Sequence, residues 1–279
     1  MRNFSIVWIC SDQQRWDTLQ CLGFKGTQTP NIDRLAARGT AFARAYCQSP
    51  ICTPSRTSFL TGLYPIAHQV HQNGAGTFPS HLVLLPKLMA NAGYYTGHIG
   101  KLHLSATRGM IEKRPDDGFA EFYWSPEPFP EWSGNHDYHA WMWSKGVNPE
   151  AYFKPYLDQH YGPGPAAEYR QARWAGDRAE RFIKMHSDRS WYLGVNIDAP
   201  HPPLNPRQTT SGGSIQMICL ILRSSRLISS TRRNLNESIS KRNSRWILGT
   251  QQQTRVRRTT TNWQDLRMKR HQRSSIFGR

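Results

Sequence analysis

Residues 3–14 read NFSIVWICSDQQ, a compact apolar and β-branched run that stops at Ser11, Asp12, Gln13 and Gln14. A run this short and this continuously apolar predicts a buried strand that delivers polar side chains at its carboxyl end. In open α/β sheets that end is where ligands bind. Residues 191–197, WYLGVNI, repeat the pattern and lead into Asp198-Ala199-Pro200-His201-Pro202-Pro203.

Between these two runs the chain alternates. Thr29-Pro30-Asn31 offers a cap and a first-turn proline, and Ile32, Leu35 and Ala36 keep helical spacing until Gly39. Residues 40–47 read as a second extended segment. Two prolines then enforce a turn around Cys52, and residues 55–61 fit a short helix stopped by Gly62, which places Cys52 just before a helix N-terminus. A helix over residues 85–91 with Gly93 as its stop, and a strand over 95–99, lead into Gly100-Lys101-Leu102-His103. Residues 106–165 are rich in Trp, Tyr, Pro and Gly and read as a long, partly irregular insertion. Such loops often shape a pocket, although aromatic residues equally serve packing. A helix from Glu168 to His186 precedes the second apolar run. Strand and helix in alternation predict an α/β fold with a largely parallel central sheet.

Charge divides the chain of 279 residues unevenly. The formal charge is +17, yet residues 1–206 carry 20 Lys and Arg against 17 Asp and Glu, whereas residues 207–279 carry 16 against 2. A polyanion-binding surface is therefore not expected on the first part, and only the tail has the composition of a nucleic-acid-binding arm. Five cysteines, at 10, 21, 47, 52 and 219, show neither C-x-x-C pairs nor zinc-like spacing, which argues against a disulfide framework or a zinc module. The first apolar run is shorter than a signal-peptide core, and no stretch approaches the roughly 20 apolar residues of a membrane span. A cytoplasmic protein without a membrane partner is expected.

The tail itself lacks Ala, Pro and Tyr throughout its 73 residues. Read one base out of frame, with each codon starting on the third base of the displayed one, Met217-Ile218 becomes Asp, Trp246-Ile247 Asp, Trp263-Gln264 Ala and Met268-Lys269 Glu. The shift restores the acids and the alanine that the tail lacks. Residues 1–206 are thus expected to be the designed domain, and 207–279 an out-of-frame, disordered extension.

Chemistry concentrates at Cys52-Thr53-Pro54-Ser55-Arg56, followed by Leu60-Thr61-Gly62. This segment resembles the signature of the type I sulfatases, members of the alkaline phosphatase-like superfamily. Thr29 to Ala36 and Gly100 to His103 resemble two further blocks of that family in the expected order. The likeness covers residues 4–206, the amino-terminal portion of a longer family chain, and implies an alkaline-phosphatase-like sandwich that is truncated at its C-terminus. It implies hydrolysis of sulfuric esters, with Cys52 oxidised to formylglycine by a modifying enzyme that reads Pro54 and Ser55. In the family the aldehyde hydrate attacks sulfur with one hydroxyl, and the second hydroxyl then collapses to expel sulfate.

The remaining roles follow from the same likeness. Arg56, one helical turn on, would hold the nucleophile or a metal-bound carboxylate. Asp12, Gln13 and the residue at position 52 would ligate a divalent cation, Ca²⁺ first and Mg²⁺ or Mn²⁺ as alternatives. Lys101 and His103 would neutralise sulfate oxygens or protonate the leaving group. His201 would contact the sulfate from another side, and Asn73 would line the pocket. The Asp12-Gln13 pair resembles the branch of choline-sulfatase-like and phosphonate monoester hydrolase-like enzymes, so a phosphoryl ester remains open as substrate. The family's downstream Asp-His or Asp-Asn ligands and its further lysine have no match in 207–279, so the chain as written is expected to be inactive or poorly folded.

Sequencing the DNA through and beyond codon 206 checks the reading-frame expectation. A strand–helix pattern is expected in the displaced frame, and early stop codons there would refute it.

Overall fold

The structure is a computed structural model that describes residues 4–74, 78–107, 111–127, 136–156 and 164–202. The basic segment 207–279, and with it the out-of-frame expectation, lies outside the described residues. Four strands form one sheet: β1 (Ile6–Ser11), β2 (Tyr95–Gly100), β3 (Glu121–Trp124) and β4 (Trp191–Ile197). Their order is β1-β4-β2-β3, and all three pairings are parallel. The α/β class with a parallel central sheet is therefore what this chain adopts.

Helices cover both faces: α1 (Pro30–Arg38), α2 (Cys52–Thr61), α3 (Pro65–His68), α4 (Leu85–Asn91), α5 (Asp137–Ser144), α6 (Pro149–Phe153) and α7 (Gln171–Met185). Strand β4 shows why the layers form. All seven of its residues are buried, and alternate side chains leave on opposite faces. Trp191, Leu193, Val195 and Ile197 pack with Trp174, Ala175, Ala179 and Phe182 of α7 and with Tyr138 and Met142 of α5. Tyr192 turns the other way, toward Leu60 of α2 and Leu84, Leu102, Leu104 and Phe119. Phe182 can lie across β2 only because residue 97 is glycine, since a Cβ there would stand 2.5 Å from its ring.

Several expectations need correction. The run expected as a buried strand over residues 3–10 gives β1 from Ile6 onward, but β1 is not buried: Ile6, Trp8 and Ile9 are each 39% exposed. The reason is topological, because β1 pairs only with β4 and no described strand lies along its other edge. Residues 40–47 form no strand; Phe42 and Tyr46 are exposed on a turn-containing loop. Without a neighbouring strand to hydrogen-bond, extended propensity alone does not build one. Residues 106–165 are also not a simple insertion, for they contribute β3, α5 and α6. Of the described aromatic side chains there, Tyr138 and Phe153 are almost fully buried in the core, whereas Trp143 is exposed.

Helix boundaries were more legible. The helix over Leu85–Asn91 falls where expected, and the helix expected from Glu168 begins instead at Gln171 after a short 3₁₀ turn. Thr29 does not cap α1 with its side chain. Its hydroxyl instead donates to Asp33 Oδ1 at 2.8 Å and accepts from the Gln20 N–H at 3.0 Å. Among the described residues no helix is long and apolar enough to cross a membrane.

Burial also sets a pH response. His98 of β2 is stacked on Phe122 with ring centroids 4.9 Å apart, and its Nε2–H donates to the Gly100 carbonyl at 3.1 Å. Burial pushes its pKa down to about 3. A folded-state pKa below the unfolded value of roughly 6.5 means that the stabilisation is present above pH 6.5 and is lost as pH falls toward 3. Replacing His98 with Gln is expected to flatten the pH dependence of the unfolding free energy between pH 6 and 4 by about 1.4 kcal/mol per pH unit. Urea titrations at stepped pH measure this, and equal slopes in the two proteins would contradict it.

Candidate active site

The carboxyl ends of β1, β4 and β2 converge. Asp12 extends the ladder one residue beyond β1, its N–H donating to the Ile197 carbonyl at 3.0 Å. At the end of β2, Gly100 has φ 101°, and a Cβ there would meet the Asn196 carbonyl oxygen at 1.9 Å, so only glycine lets the chain turn so close to β4. Lys101 follows at once, its N–H donating to that same carbonyl at 3.2 Å. His201 lies four residues beyond β4, its N–H donating to the Asp198 carbonyl at 2.9 Å.

Helix α2 brings the fourth component. Sequence places Cys52 just before the helix; in the structure it is the first helical residue, with the Ser55 N–H donating to the Ile51 carbonyl at 2.9 Å. Ile51 has no side-chain acceptor for the free amides of the first turn. Asn73 supplies one from elsewhere in the chain, its Oδ1 accepting the Thr53 N–H at 2.9 Å. That bond gives Asn73 a role in holding α2, which its expected place along the pocket wall did not suggest.

These elements enclose a compact charge cluster. Cys52 Sγ lies 3.9 Å from Asp12 Oδ1. Lys101 Nζ sits between two buried carboxylates, 2.7 Å from Asp12 Oδ2 and 3.1 Å from Glu127 Oε1. Arg56 donates to the Lys101 carbonyl at 2.6 Å and lies 3.4 Å from Asp12 Oδ2. Two buried cations thus face two buried carboxylates, which is the pairing that makes burial of charge tolerable. Desolvation alone would raise the Asp12 carboxyl, but Lys101 and Arg56 overcome it and hold the pKa below the usual range. Lys101 is pushed down by its own burial, and Asp12 and Glu127 more than restore it.

The titratable groups around Cys52 differ in kind. A hydrogen bond with His201 holds the thiol pKa down against the opposing effect of burial, and the same bond raises His201. His103, buried and beside Lys101 and Arg56, is driven to a pKa of about 3. It is therefore held as a neutral imidazole near pH 7, able to donate one hydrogen bond. Asp198 is raised to about 6 by burial.

Asp12, Cys52 and His201 each place one ligand atom within 4.8 Å of the others and could hold a metal ion. Asp12 fits a hard cation, because its carboxylate is buried and one of its oxygens faces residue 52. Gln13 follows directly with a left-handed backbone, φ 57°, and is exposed. Hard cations such as Ca²⁺ take six to eight oxygens, so these residues form part of a cradle rather than a complete one. Glu127 was missed at the sequence level. It sits in a Ser-Pro-Glu-Pro stretch with no pattern of its own, and only the sheet brings it 26 residues back to Lys101.

The sulfatase family profile matches residues 5–220. N-acetylgalactosamine-6-sulfatase of Rattus norvegicus is 32% identical over 235 residues, covering 76% of this chain and 42% of that protein. The uncharacterised sulfatase YidJ of Escherichia coli is 26% identical, covering 73% and 39%. Among solved structures, the phosphonate monoester hydrolase of Agrobacterium radiobacter is 25% identical with a TM-score of 0.59, covering 75% of this chain and 43% of that one. The chain spans less than half the length of the curated relatives it matches. With the family profile spanning most of its length and the site at the expected ends of the strands, the chain belongs to the sulfatase family.

Proposed function

We propose that Cys52, Asp12, Arg56, Lys101 and His201 form the amino-terminal half of a sulfuric ester hydrolase centre, with Cys52 as the residue converted to formylglycine. The observation that carries this reading is the placement of Cys52 at the first position of α2, 3.9 Å from Asp12 Oδ1, with Lys101 and His201 facing the same point. Sγ of the unmodified cysteine stands in for the oxygen of the aldehyde hydrate.

Asp12, Gln13 and residue 52 would hold a divalent cation, which when bound would supply positive charge to acidify the attacking hydroxyl. The chain's own residues do the rest. Arg56 holds Asp12 and the Lys101 carbonyl together, so carboxylate and lysine move as one unit. Lys101 balances the charge of an incoming sulfate, and the open first turn of α2 adds partial positive charge. His201, which lies with Asp12 around residue 52, is placed to give a proton to the departing alcohol. His103, held neutral, is suited to donating a hydrogen bond to a sulfate oxygen. The reaction consumes one water and releases an alcohol and sulfate.

A phosphoryl or phosphonate ester is the second reading, favoured by the likeness to the Agrobacterium radiobacter phosphonate monoester hydrolase. The same buried cations would serve either tetrahedral anion. Binding of phenyl sulfate against phenyl methylphosphonate separates the two, and tighter phenyl methylphosphonate binding is the outcome that selects the second.

Co-expression with a formylglycine-generating enzyme tests the central claim. The tryptic peptide of residues 45–56 contains Cys47 and Cys52, and mass spectrometry is expected to find thiol-to-aldehyde conversion at Cys52 alone. An unmodified Cys52 would remove the basis of the proposal. Calcium titration should give a Kd of about 10⁻⁴ to 10⁻³ M, as befits a site with few carboxylates, and Asp12→Asn should abolish the signal. Because residues 207–279 offer no match to the family's downstream Asp-His or Asp-Asn pair, no turnover of an aryl sulfate is expected from this chain, and metal-dependent hydrolysis would show that expectation to be wrong.

A further inference from the structure

The loop after β2 carries two of the proposed substrate contacts, and its shape is set by a residue that does not itself belong to them. Glu112 is buried, and its carboxylate is enclosed by four donors. Oε2 accepts the His103 N–H at 2.9 Å and the Trp124 indole N–H at 3.0 Å. Oε1 accepts the Leu104 N–H at 2.5 Å and the Ser105 N–H at 3.1 Å. A carboxylate offers about four lone-pair sites, so this one is saturated. Three successive backbone amides converging on one anion form a nest, and they do so only if the backbone turns out of extended geometry.

His103 makes that turn, with φ 54°, in the left-handed region that non-glycine residues seldom enter. Leu102 and Leu104 on either side are buried in the same apolar cluster. Between two inward leucines, the left-handed residue is the one redirected toward the charge cluster around Lys101. Ser105 secures the far end of the loop, its hydroxyl donating to the Lys113 carbonyl at 3.2 Å.

We propose that Glu112 is the positioning residue for His103: its carboxylate gathers the amides of residues 103–105 and thereby fixes the direction of the His103 imidazole. The consequence for anion binding rests on the sulfatase reading above; the positioning itself does not. Glutamine is the discriminating substitution, because it keeps the volume while turning one acceptor oxygen into a donor that faces N–H groups.

The experiment uses the full chain with Glu112→Gln, with Trp124→Phe as a milder variant that removes one donor from the same carboxylate. Hydrogen exchange at the amides of 103–105 is expected to rise about tenfold or more in Glu112→Gln while β1 and β4 keep their protection. The His103 ring resonance should shift in both variants, less in Trp124→Phe. Orthovanadate, as a tetrahedral oxyanion probe, should bind about tenfold more weakly to Glu112→Gln, with most of that effect disappearing in a His103→Ala background, as expected for residues acting through each other. An unmoved His103 resonance, or an equal loss of vanadate affinity with and without His103, would overturn the proposal. Should Glu112→Gln not fold, the Trp124→Phe resonance decides alone. If the unaltered chain binds no vanadate, the sulfatase reading fails, and the His103 resonance and the exchange pattern still decide the role of Glu112.

Discussion

Lys101 lies between Asp12 and Glu127, and the rest of the site is arranged around the need to keep that buried lysine paired. An isolated ammonium or carboxylate at such depth would lose its charge. Arg56 supplies the second cation, reaching both Asp12 and the Lys101 backbone, so the cluster is neutral overall and hydrogen-bonded on several sides. Removing one partner from an arrangement of this kind leaves an uncompensated buried charge, which costs about 3–5 kcal/mol. The ends of three strands and the first turns of α2 are tied to one another through this pairing.

The sheet makes the pairing possible. Parallel strands in the order β1-β4-β2-β3 bring Asp12, His201 and Lys101 to one edge although they are 189 residues apart at the extremes. Tight passage of β2 past β4 at Gly100 and the capping of α2 by Asn73 then set the distances. The apolar side chains on both faces of β4 hold this frame together, and the polar ends of the strands inherit its rigidity.

The environment also divides two histidines that look alike in sequence. His103 is enclosed next to two cations and is kept neutral, whereas His201 gains a proton affinity from its contact with Cys52. Their protonation behaviour therefore diverges: one is held neutral, and the other is drawn toward its protonated form. Nothing in the short segments around either residue announces this difference.

Sequence alone determined the class of fold and named most of the residues that the structure gathers at the strand ends. Apolar runs ending in polar residues marked β1 and β4, and the Cys52–Arg56 segment with Asp12, Lys101 and His201 marked the chemistry, because strand periodicity and local motifs are encoded in neighbouring residues. Only tertiary structure decided the rest. Among the described residues it left β1 paired on one side only, recruited β3 from a stretch that reads as irregular, and brought Glu127 to Lys101 and Glu112 to the His103 turn. Those outcomes depend on which segments meet across the sheet, and a long-range electrostatic or hydrogen-bonding partner leaves no periodic trace in the sequence that supplies it.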